Sequence, residues 1–191
     1  MPTNVLGVGL FAVPAAFLPA GFWLLKLKQF NDPSREGGVD NAFSATVGAV
    51  GVYAFLAGFY LMAVSPLQAP FNEFFGAIHL FYGLTLVVGA LSASKGWDLR
   101  PVSYLAFLGG IINVLYVWIN ETIIHNPTYP VVFIPAALVG LSFPLATHVK
   151  SVWGSRIVGI LCIVLGLASL YVGWNAFQGH IAAGLKPPAA H

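Results

Sequence analysis

An imidazole inside an apolar run is costly unless something meets its nitrogens, and His79 stands in such a run, between Phe71 and Ala93. At the helical rise it lies about 12 Å from the start of that run, close to mid-membrane depth. Asn113 falls at a similar level in the next run, so a hydrogen bond between the two would satisfy both without any solute. Asn72 and Glu73 open the same run as His79. Asn72 and His79 are seven residues apart, which sets them on one helical stripe with Glu73, Gly76 and Gly83 nearby. That stripe is either a packing face or the polar lining of a solute path. Trp118, Tyr171, Trp174 and Asn175 sit toward one end of their runs, beside Asn120, and form a candidate aromatic collar with amide dipoles. Such a collar suits a small, flat, neutral, hydrogen-bonding solute and suits an ion poorly.

Other chemistry lacks its residues. No second His, Cys or carboxylate lies within a turn of His79, so no metal site is expected. Cys162 is alone in Ile160–Leu165, which leaves no disulfide or thiol pair to form. Without a nucleophile and base or a haem-ligand pair, neither an enzyme nor a cofactor is expected.

These residues are carried by apolar elements. Of the 191 residues 58% are hydrophobic and 7% charged, and the mean hydropathy is +0.84, more apolar surface than a water-soluble domain of this size hides. Six runs are long enough to cross a bilayer as helices: about 4–25, 43–64, 71–93, 101–120, 130–148 and 154–178. The expected fold is all-α, a single polytopic bundle of six transmembrane helices over residues 1–191. Lys26, Lys28 and Arg35 follow the first run, Lys95 and Arg100 the third, and Lys150 and Arg156 flank the turn before the sixth. The positive-inside rule then places those three loops in the cytoplasm and both termini outside. This positive charge is a topological signal rather than a patch for nucleic acid. Lipid is the partner expected.

The connection Gly96-Trp97-Asp98-Leu99-Arg100-Pro101-Val102-Ser103-Tyr104, together with Asn72, Phe75-Gly76 and the glycine-rich end of the third run, resembles the third span, inner loop and fourth span of the urea and amide channel family. Gly96, Asp98, Arg100, Pro101 and Ser103 carry the likeness, and Asp32-Pro33-Ser34 through Asn41 and Phe43 is faintly similar to that family's first inner loop. The resemblance implies a passive channel for urea or a short amide, with one pore per protomer and the protomers joined as a homo-oligomer. Read by itself, the connection is a helix entry: Asp98 caps the turn that Pro101 opens. The chain departs from the acid-activated members, because Ser65–Pro70 is short and has no titratable group; acid gating is therefore not expected. The alternative, from another class, is a non-transporting accessory subunit of a larger membrane enzyme, whose packing would equally use the glycine faces.

Overall fold

A computed structural model describes residues 5–26, 37–65, 71–149 and 152–184. The segments around Asp32–Ser34 and Gln68 lie outside them. Six α-helices follow in order: α1 Val5–Lys26, α2 Gly37–Val64, α3 Phe71–Ser94, α4 Arg100–Ile119, α5 Tyr129–His148 and α6 Val152–Gly184, with a π-helical turn at Asn120–Ile124 after α4. Among the described residues there is no strand. Five of the helices are long and apolar enough to cross a bilayer, and α1 adds the apolar stretch Phe11–Lys26. The protein is an all-α integral membrane protein, and its large exposed hydrophobics, such as Phe59, Ile123 and Leu167, face where lipid lies.

The expected runs and the observed helices agree to within two residues at most ends. Helix α2 begins six residues earlier, because hydropathy marks the apolar slab and a helix can extend beyond it. Helix α6 likewise runs on to Gly184.

Each helix packs on its neighbours in the chain, and α6 returns to α1. The result is a closed ring with no substantial helix-to-helix packing across its middle among the described residues. Contacts are broadest in α2·α3, α1·α6 and α4·α5, and thinnest in α3·α4. Glycine explains the three broad pairs, because with no side chain it lets helix backbones approach closely. A Cβ built on Gly58 would lie 2.5 Å from Leu80 N and 2.7 Å from Gly76 O; one on Gly140 would lie 2.5 Å from Ala106 O; one on Gly159 would lie 2.9 Å from Gly21 O. Gly51, Gly58, Gly76 and Gly83 therefore act as packing surfaces between α2 and α3.

The thin α3·α4 seam is tied by polar groups instead. The buried Tyr116 hydroxyl donates to Phe74 O at 2.9 Å, and Asn113 Nδ2 donates to the Tyr82 hydroxyl at 2.5 Å. At the far end of α4, the Tyr104 hydroxyl and His148 Nε2 are 3.0 Å apart, joining α4 to α5.

The connection from α3 to α4 is a helix stop followed by a helix start. Gly96 has φ +66°, its N–H donates to Ala93 O at 3.2 Å, and the Trp97 N–H donates to Ser92 O at 2.9 Å. This pairing closes a helix C-terminus through a left-handed residue. Asp98 Oδ1 then accepts the Arg100 N–H at 2.9 Å, and its carboxylate takes Arg100 Nε and Nη2 at 2.7 and 2.6 Å. Ser103, fully buried, donates its hydroxyl to Arg100 O at 2.7 Å. The whole motif thus has a structural use within this chain.

Two stability effects follow. Gly96→Ala places a Cβ in the left-handed region and is expected to cost about 1 kcal/mol. The hydrogen bond from the Arg100 side chain, with that from its N–H, holds the Asp98 carboxyl below the usual carboxylate range. A depressed folded-state pKa stabilises in full above the unfolded value near ~4, and this is lost as pH falls through the folded value. Asp98→Asn should therefore flatten the acid limb of a stability profile. Thermal unfolding in detergent from pH 7 to pH 3 reads both effects; an unchanged acid limb would remove the role given to Asp98.

Candidate functional site

The ring encloses two chambers in line along its axis. The larger, about 330 Å³, runs from Asn126, Thr128 and Tyr129 at the end where α5 begins to Tyr82 and Leu86 in mid-bundle. The smaller, about 110 Å³, continues from there toward the other end and reaches Trp23, Phe43 and Leu99. Phe17, Tyr82 and Leu86 line both and form the neck between them. The Phe17 and Tyr82 rings meet edge to face there, with centroids 6.5 Å apart. At the far end of the smaller chamber Trp23 and Phe43 stack at 4.5 Å.

The mouth of the large chamber is shaped by the π-helical turn. Widening the helix by one residue per turn brings Asn120 inward, where it is 1% exposed. Its backbone carbonyl accepts the His125 N–H at 2.6 Å, and its Oδ1 accepts the Asn126 N–H at 3.1 Å. His125 ends the turn in the left-handed region, φ 55°. Asn126 Oδ1 in turn accepts the N–H and hydroxyl of Thr128 at 2.9 and 2.7 Å. The loop is therefore held by its own side chains, with Asn126 and Thr128 at the mouth.

Walls are mostly apolar and aromatic: Phe17, Phe75, Ile78, Tyr129, Val132 and Phe133 among them. The polar station is His79, Tyr82 and Asn113. His79 and Tyr82 are three apart on α3 and share a face; Asn113 reaches them from α4. His79 Nδ1 lies 2.7 Å from Phe75 O. A carbonyl can only accept, so Nδ1 carries the proton and Nε2 of the neutral ring is an acceptor. Asn113 is fully buried, and its Nδ2 donates to both Tyr82 Oη and Gly109 O, the latter at 2.7 Å. The Gly109 carbonyl fixes which way the carboxamide faces, and Asn113 Oδ1 is left without a partner.

His79 and Asn113 thus line one chamber, as their depths suggest, yet each takes another partner in place of a mutual bond. The remaining candidates sit elsewhere. Asn72 is 3% exposed but does not line either chamber, and Glu73 is exposed on the outside of α3. Trp118, Tyr171 and Trp174 are 62%, 63% and 53% exposed, and Asn175 is exposed beside them. These four face outward, so no collar forms around the axis of the ring. Gly96, Asp98, Arg100, Pro101 and Ser103 make the α3–α4 connection described above and line no chamber. Tyr82, Asn126, Thr128 and Tyr129 were not among the candidates. Tyr82 had a usable cue, three residues after His79, and Asn126-Pro127-Thr128 is a turn sequence. Among the described residues no cluster of three or more His, Cys, Asp or Glu could hold a metal.

A closed helical ring with an axial cavity and a polar station inside it defines the class: an integral membrane protein organised around its own interior. The chain belongs to the family described as "Protein of unknown function (DUF981)", which matches residues 1–183. No curated protein and no solved structure matches it.

Proposed function

We propose that the protein is a passive path for a small neutral solute through the middle of each six-helix ring. The observation that carries this reading is the pair of chambers in line on the ring axis, meeting at Phe17, Tyr82 and Leu86. Packing alone does not require a void there, since the helices that touch most closely do so around the ring. Among the described residues the walls bear no charged group, which suits a neutral solute and penalises an ion. Urea and short amides are the first solutes to test, on the resemblance of the α3–α4 connection. Homo-oligomeric assembly and the prokaryotic inner membrane belong to the same reading and rest on that resemblance. The accessory-subunit alternative draws on the glycine faces and the exposed apolar faces; Gly51, Gly58, Gly76 and Gly83 are used inside the ring, between α2 and α3, and a bilayer covers the exposed faces equally well.

Stopped-flow light scattering on proteoliposomes tests the reading with urea, acetamide, glycerol and water. At least one neutral solute is expected to enter severalfold faster than into empty liposomes. Equal rates for all of them would favour the accessory subunit.

In the proposed orientation the α3–α4 connection faces the cytoplasm, on the charge bias. With Cys162→Ala as background, a cysteine replacing Thr128 should react with an impermeant thiol reagent in intact cells, and one replacing Ser94 should not. Both positions are exposed. The reverse pattern would invert the topology.

A further inference from the structure

We propose that the large chamber is a binding site for an uncharged molecule about the size of a benzene ring, whose head group donates a hydrogen bond to His79. Volume is the first argument. An apolar cavity of about 150 Å³ already holds benzene, and this chamber measures about 330 Å³. Urea and acetamide leave much of it unfilled, and the unfilled part is walled by Phe17, Phe75, Val132 and Phe133 rather than by groups that would hold water. Those walls complement an apolar body.

The second argument is a free acceptor. His79 lines the chamber, and its proton is held at Nδ1 by Phe75 O at 2.7 Å, which leaves Nε2 as an acceptor with no described partner. Asn113 does not supply another, because its Oδ1, though unpartnered, is buried beyond the reach of a water-sized group. One acceptor and no cation among the described lining residues call for a neutral head with an N–H or O–H group. An anion would meet lone pairs, and a cation would meet apolar walls without a counter-charge. A ring-sized ligand would also have to pass Phe17, Tyr82 and Leu86 to leave by the other chamber, so at this neck it acts as a plug.

The site does not depend on passage, so equilibrium binding tests it whether or not the protein conducts. Radiolabelled aniline and toluene, which differ in an NH2 for a CH3 of similar volume, are dialysed in sealed cells against the purified protein in detergent, with empty micelles subtracted. Wild type should bind aniline at least tenfold better than toluene, relative to each probe's uptake by micelles. His79→Leu should bring that ratio to about one while toluene still binds. Ala12→Phe, which fills the chamber from α1, should abolish binding of both. His79→Leu is expected to fold, because the one described hydrogen bond of His79 is to its own helix. No binding to wild type beyond micelles, or an aniline preference untouched by His79→Leu, would overturn the proposal.

Discussion

Gly140→Leu is expected to leave no assembled protein. The first side-chain carbon alone would lie 2.5 Å from Ala106 O, 2.6 Å from Gly110 N and 2.7 Å from Gly110 Cα, all of them backbone atoms. No rotamer relieves such contacts, so α4 and α5 must separate. Separation would also pull on the thin α3·α4 seam, whose ties from Asn113 and Tyr116 both start on α4. Overpacking costs about 1–3 kcal/mol where neighbours can adjust. Here they cannot, and the loss approaches the whole of a marginal stability of about 5–15 kcal/mol. Gly89→Ala is the control: its Cβ would meet only Val102 Cγ1, at 3.4 Å. Size-exclusion profiles in detergent should show Gly89→Ala as wild type and Gly140→Leu as aggregate. A monodisperse Gly140→Leu protein would mean that α4 and α5 are not packed as described.

Helices were legible from sequence because hydropathy alone marks runs long enough to span a bilayer. Which face of each helix turns inward was not. These helices are apolar all round, so the periodicity that distinguishes core from surface in a soluble protein is nearly erased. Trp118, Tyr171 and Trp174 show the consequence, since they look equally suited to a pore collar and to a lipid-facing girdle, and they face outward. His79 and Asn113 were legible because a polar group in an apolar slab must be answered from inside the bundle. Their actual partners were harder to foresee. A backbone carbonyl one turn away and a tyrosine hydroxyl outcompeted the bond between them. The widened turn at Asn120–Ile124 left no cue in hydropathy, because one extra residue per turn changes geometry without changing composition.

If solute moves along the axis, the neck is where it is most easily stopped. Leu86 lines both chambers, and the one cysteine of the chain, Cys162, is buried against the smaller chamber. A Leu86→Cys protein in a Cys162→Ala background therefore presents a single thiol where the two chambers meet. The most direct measurement is the entry rate of the best-conducted neutral solute into proteoliposomes before and after that thiol is capped with a bulky neutral methanethiosulfonate, and again after reduction. Capping should lower the protein-dependent rate at least tenfold, and reduction should restore it. A protein-dependent rate unchanged after complete capping would show that solute does not pass between Phe17, Tyr82 and Leu86, and would contradict an axial path.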